Sequence, residues 1–127
     1  MNAREDRKSG SAEGRSLTRA TIRAADRLSV SQRTLAAVIG VSEPVVSRMR
    51  QGSFSLERNN GKAFELAALF VRVAILLETI LEDDQAAASA WLTSENSALR
   101  GKPLDLVQSV QGLVGVLCYL EARSKTG

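Results

Sequence analysis

QRTLAAVIGVSEPVVSRMRQ, residues 32–51, decides the fold. Leu35, Ala36 and Ile39 repeat at helical spacing and mark one buried face. Ala36 is small enough for the point where two crossing helices touch. Gly40 follows the last periodic residue, where a helix ends in a left-handed conformation without Cβ strain. Val41 fills the angle that results. Ser42 is a natural N-cap, Glu43 suits the positive end of a helix dipole, and Pro44 is tolerated in a first turn. Val45, Val46 and Met49 give the second helix its apolar side, and Gly52 stops it. The stretch reads as a helix, a tight turn and a second helix.

Opposite that apolar side, the second helix presents Glu43, Pro44, Ser47, Arg48 and Gln51, with Ser42 at its start. These are short or hydrogen-bonding residues with one arginine able to make two-pronged contacts. Such a helix fits the major groove of B-DNA, which is about 12 Å wide. The first helix then crosses the phosphate backbone, with Gln32, Arg33 and Thr34 near its start. A packed helical hairpin with a solvated face would share the small-residue turn. The full spacing Gln-x-x-Leu-Ala-x-x-x-Gly-Val-Ser-x-x-x-Val-Ser-Arg favours a DNA-binding helix-turn-helix.

On the N-terminal side, residues 1–15 offer almost nothing to bury and read as a disordered arm. From Ser16 the pattern turns helical, with Leu17, Ile22, Ala25 and Leu28 on one face. Arg15, Arg19, Arg23 and Arg27 recur every fourth residue and line one side of that helix, facing either phosphate or solvent. After Gly52, Phe54 and Leu56 look like anchors for a loop, and Asn59, Asn60 and Gly61 are turn chemistry. The DNA-binding domain is therefore placed at 16–61 and a second domain at 62–127. Charge divides the same way. Residues 1–62 carry 12 Lys and Arg against 6 Asp and Glu, a net of +6, and residues 63–127 carry 5 against 8, a net of −3. The basic half suits phosphate; the acidic half needs a different partner.

Residues 63–82, AFELAALFVRVAILLETILE, are the most apolar stretch. Arg72 near its middle argues against a membrane span, since a central arginine costs about 2.5–3.5 kcal/mol on insertion scales. A helix apolar on more than one face is buried on more than one side. One side packs on its own domain, and a second copy covers the other, which makes Phe70 and Leu77 candidate dimerisation residues. The acidic run Glu82, Asp83 and Asp84 is unfavourable at a helix C-terminus, so the helix breaks there and Asp83 or Asp84 caps the next, QAAASAWL. Residues 93–103 form a loop. Pro103 opens a short helical turn, and Ser109 caps a last helix with Val110, Leu113, Val114, Leu117 and Leu120 as its apolar face. No strand stands out, so the expected fold is all-α.

The chain has no histidine, the commonest general base and metal ligand. Its single cysteine, Cys118, permits no internal disulfide and is expected to be a buried thiol in an apolar helix. With no metal-ligand cluster, phosphate loop or activated nucleophile, the expectation is a protein that is not an enzyme and needs no metal or cofactor. The first residues lack the apolar core of a signal peptide, so a cytoplasmic location is expected.

The C-terminal half carries a more particular pattern: Trp91-Leu92, then Asn96, Leu99, Gly101, Pro103-Leu104-Asp105-Leu106, Gly112, Val116 and Leu120. Together with the helix-turn-helix at 32–51, it resembles the Xre/MbcA/ParS-like antitoxins of bacterial type II toxin–antitoxin systems, partners of RES-domain toxins. The resemblance covers about residues 17–123. It implies an all-α fold, an Xre-like helix-turn-helix followed by a small dimerisation and toxin-binding domain. It also implies a homodimer that binds its own operator as an autorepressor, and a cognate toxin that consumes NAD. The toxin contact is expected at Leu99, Arg100, Gly101, Lys102, Pro103 and Leu104 and, on the last helix, at Tyr119 and Arg123. The loop Leu99–Lys102 has one glycine where relatives often have two, which leaves its geometry open. The competing function is a free-standing helix-turn-helix repressor whose C-terminal half only dimerises.

Overall fold

Seven helices and one 3-10 turn make up the computed structural model, which describes residues 10–126. They are α1 (Ala12–Arg27), α2 (Gln32–Ile39), α3 (Glu43–Gln51), the turn Arg58–Asn60, α4 (Lys62–Ile80), α5 (Gln85–Thr93), α6 (Pro103–Leu106) and α7 (Val110–Thr126). Among the described residues there is no strand, only an isolated antiparallel bridge between Asn96 and Gly101. No helix among them is long and apolar enough to cross a membrane.

The first helix starts at Ala12, earlier than its apolar spacing predicts. Ser11 is the N-cap, its Oγ accepting from the Gly14 amide at 2.9 Å. Ser11 in turn donates its amide and hydroxyl to the Glu57 carboxylate at 3.0 and 2.7 Å. Residues 10–15 therefore belong to the helical domain rather than to an arm; residues 1–9 of the expected arm lie outside the described residues. Thr18 completes the tie, donating to the Gly14 carbonyl at 2.7 Å and accepting from the Leu56 amide at 2.8 Å. Gly14 is obligatory here, because a Cβ would stand 2.3 Å from the Leu56 carbonyl oxygen. Leu56 is fully buried and Phe54 half-buried, as loop anchors must be.

The turn between α2 and α3 follows its sequence. Gly40 adopts φ 74° and donates to the Ala36 carbonyl at 2.9 Å; Gly52 ends α3 at φ 82°. Ser31 and Ser42 cap the two helices.

The helix α4 packs against α1, α2 and α7. This overturns the assignment of Phe70 and Leu77 to a dimer interface. They are 2% and 1% exposed, in one core with Leu35, Ile39 and Val46 on one side and Leu113, Val116 and Leu120 on the other. The helix is apolar on several faces because its own chain covers several faces. What it leaves outward is Lys62, Glu65, Ala68, Arg72, Ile75 and Thr79. Arg72 reaches Glu121 of α7 at 2.6 Å, and Arg27 of α1 pairs with Glu78. A boundary near residue 61 therefore marks no gap, since the core is continuous across it.

After Ile80 the chain reverses through Glu82 and Asp83, both left-handed at φ 54° and 62°, and Asp84 caps α5 through the Ala87 amide at 3.0 Å. Ser109 caps α7 by accepting from the Gly112 amide at 3.0 Å. The buried face of α7 is Leu113, Val116, Leu117 and Leu120, whereas Val110 and Val114 are 51% and 41% exposed. Cys118 is also exposed, on the side of α7 turned from the core, and is not the buried thiol its apolar surroundings suggested.

Candidate functional site

The start of α2 and the start of α3 lie side by side. Gln32 Nε2 donates to the Glu43 carbonyl at 3.4 Å, which places the two helix starts within reach of each other. Ser31 Oγ accepts from the Thr34 amide at 3.1 Å and Ser42 Oγ from the Val45 amide at 3.4 Å. Two capped helix ends with their positive dipoles thus face the same region, an arrangement that favours phosphate. Arg33 is exposed beside them, and Gln32 and Thr34 are half-buried.

On α3, Glu43, Pro44, Arg48 and Gln51 are exposed and Ser47 is half-buried, while Val46 and Met49 face the core. The predicted DNA-facing residues of α3 therefore lie on the side turned from its buried Val46 and Met49. Arg48 has no ion-pair partner among the described residues. Arg50 does: both its terminal nitrogens reach the Asp26 carboxylate, at 3.0 and 3.1 Å. That hydrogen bonding raises the Arg50 pKa above its ordinary value. Sequence spacing had no way to find this pair, because Asp26 belongs to another helix. Glu57 was missed for the same reason. Hydrogen bonds from Ser11, and next from Ser55, hold its carboxyl below the ordinary range against the effect of burial.

The second predicted surface divides in two. The loop before α6 closes on itself: Asn96 and Gly101 exchange backbone bonds at 3.0 and 3.2 Å, and Asn96 Oδ1 accepts from the Leu99 amide at 3.1 Å. Arg100 takes the left-handed conformation, φ 63°, that a second glycine would take without strain. Arg100 and Lys102 are exposed, and Leu99, Gly101 and Leu104 are half-buried. Pro103 is buried and opens α6. Gly112 lets α7 pass against α6; a Cβ there would stand 1.9 Å from the Leu106 carbonyl oxygen.

Tyr119 and Arg123 lie farther along α7. At 1.5 Å per residue, Tyr119 is about 10 Å beyond Gly112 along the axis. Tyr119 is half-buried against Trp91 of α5, ring centroids 6.3 Å apart. Arg123 lies over the Tyr119 ring at 5.5 Å and donates to its hydroxyl at 3.2 Å. Gly112, Tyr119 and Arg123, spaced i, i+7 and i+11, share one flank of the helix. The outer face beside that flank exposes Val110, Val114, Gly115 and Cys118. Among the described residues no group of His, Cys, Asp and Glu side chains could hold a metal ion.

Two family models match the chain. Residues 10–72 match the antitoxin Xre-like helix-turn-helix domain, and residues 76–124 match the antitoxin Xre/MbcA/ParS C-terminal toxin-binding domain. No curated relative matches it.

Proposed function

Since this chain belongs to the Xre/MbcA/ParS-like antitoxins, we propose that it neutralises a RES-domain, NAD-degrading toxin by covering the active site and, as a dimer, represses its own operator. The coarser part is plain: it is an antitoxin of a toxin–antitoxin system with a helix-turn-helix and a toxin-binding domain. The match over 76–124 carries the reading, and the net −3 of residues 63–127 supports it. A toxin that binds NAD offers positive potential to the pyrophosphate, and the C-terminal half as a whole, being acidic, is steered towards it at long range, whereas the cationic Arg100, Lys102 and Arg123 meet acidic groups of the toxin at close contact. Arg100, Lys102, Leu104, Tyr119 and Arg123 are the contacts, along the loop and the flank of α7.

Operator DNA meets α3, with Ser47, Arg48 and Gln51 at base edges and Gln32, Arg33 and Thr34 at the backbone. As a dimer on a palindromic operator, two α3 helices would read half-sites about 34 Å apart. Phe70 and Leu77 are not available for the contact between copies. Ile75, 57% exposed, is the large apolar side chain that α4 itself leaves available, beside α1.

The test is co-expression with the neighbouring toxin gene from an unrelated promoter. Removing α7 would strip Leu113, Val116 and Leu120 from the core, so the contact is tested with surface variants. Arg100→Glu/Lys102→Glu should fail to protect cells and their NAD pool, and Ser47→Ala/Arg48→Ala should protect them. Protection by the first variant, or failure of the second at equal abundance, would reverse the two surfaces. Operator repression without toxin binding would return the free-standing repressor.

A further inference from the structure

The helix α1 and the C-terminal end of α3 enclose two adjoining clefts of about 300 and 310 Å³. Both are lined by Arg19, Met49 and Arg50. One opens beside Gln51 and Gly52, at the edge of the base-facing surface; the other runs on to Arg23, Asp26 and Arg27. The floor is apolar at Met49, and the walls are cationic. Three of these arginines are engaged: Arg15 donates to the Gly10 carbonyl, Arg27 pairs with Glu78, and Arg50 with Asp26. Arg19 and Arg23 are exposed and have no ion-pair partner among the described residues. Asp26, the carboxylate lining the second cleft, is already held by both prongs of Arg50.

We propose that Arg19 and Arg23 hold a DNA sugar–phosphate strand at the C-terminal end of α3, a second backbone track beside the base-facing surface. A helix in the major groove meets phosphate on either side of it. The start of α2, tied to the start of α3 by Gln32, is placed for one strand. The cationic cleft at the other end of α3 is placed for the second. Resting on the DNA-binding role of α3, this adds where the second strand runs. Arg19 and Arg23 lie one helical turn apart, so successive phosphates can meet them in turn. Arg50 supports the track by holding Asp26 away from it, and the pair carries no net charge of its own.

The experiment measures affinity for a duplex from upstream of the gene, and for a scrambled duplex of equal length, across a salt series. Wild type is set against Arg19→Ala/Arg23→Ala, Arg48→Ala and the distant control Lys125→Ala. Each phosphate contact contributes about 0.9 to the slope of log affinity on log salt, so the double variant should be flatter by about 1.8. Its loss of affinity between about 50 and 200 mM salt should shrink about tenfold. It should weaken on both duplexes by the same factor and keep their ratio, whereas Arg48→Ala should lose the ratio. Asp26→Asn, which removes the one opposing charge, should tighten both. An unchanged slope in the folded double variant, or in Arg19→Gln/Arg23→Gln should the alanines misfold, overturns the track while leaving α3 as a reader. Failure of the wild type on both duplexes overturns track and reader together. A row that instead binds the Glu82–Asp84 turn of a second copy would give salt-sensitive self-association with an unchanged slope.

Discussion

Glu57 ties the first turn of α1 to the loop after α3 through Ser11 and Ser55. Its pKa in the fold lies below the unfolded value, so its contribution is whole at neutral pH and is lost as pH falls through those values. Amide-exchange protection of Gly14 and Arg15, corrected for intrinsic rate, should drop as pH falls from about 5 to 3. Glu57→Gln should show low protection throughout; a variant that matches wild type would assign the tie to Thr18 alone. At the surface proposed to face the bases, Arg48→Ala should cost about 1–3 kcal/mol and relax preference at one operator position, read by competition among single-base operator variants. Cys118 is exposed, so the folded chain should react fully with a thiol reagent without denaturant. Its surroundings in the sequence misplaced it because neighbours along a helix point in different directions.

Helices differ in how openly the sequence announced them. The helices α2 and α3 were legible because Gly40, Ser42 and Gly52 all act within their own turns; Ser31, which caps α2 in the same local way, was not singled out. The start of α1 was not, because Ser11 is held by a carboxylate 46 residues away. In α7, Val110, Val114 and Val116 offered overlapping stripes, and only the position of α4 chooses Val116. The same helix gives paired predictions. Gly112→Ala drives a methyl into the α6 backbone and should cost about 3 kcal/mol or displace α6. Gly115 has nothing within 4 Å of a new Cβ, and Gly115→Ala should add about 0.5–1 kcal/mol by helix propensity. Urea melts of the two should move in opposite directions. Arg100→Gly relieves a left-handed side chain and should gain up to about 1 kcal/mol. A loss of toxin affinity in that stabilised variant would assign Arg100 to contact rather than to loop shape.

Across the whole molecule, the all-α architecture was evident from the sequence, but the meaning of its most apolar helix was not. Hydrophobicity on several faces of α4 announces burial on several sides without naming what covers them. Here α1, α2 and α7 do. Phe70→Ala should therefore cost about 3–5 kcal/mol as a core deletion. Phe70→Asp should yield unfolded chains rather than folded monomers. By contrast, Ile75→Asp should stay folded, and if the proposed dimer forms through this side, sedimentation should show it shifted towards monomer; an unshifted folded variant would remove Ile75 from the contact, and a monomeric wild type would remove the dimer itself.

The position of α4 also bears on descent. Recombination can give a regulator a new C-terminal half where the seam crosses little packed surface. Here a crossover near residue 61 imports a foreign α4 that must match α1 and α2, and one at residues 81–84 imports a foreign α7 that must match α4. Neither seam leaves a lineage with a ready-made core. The two halves should therefore be inherited together, and ancestral trees built separately from residues 10–61 and 85–126 of related chains should branch alike. A new toxin would then be met by changing exposed positions such as Arg100 and Lys102, not by exchanging the half that carries them.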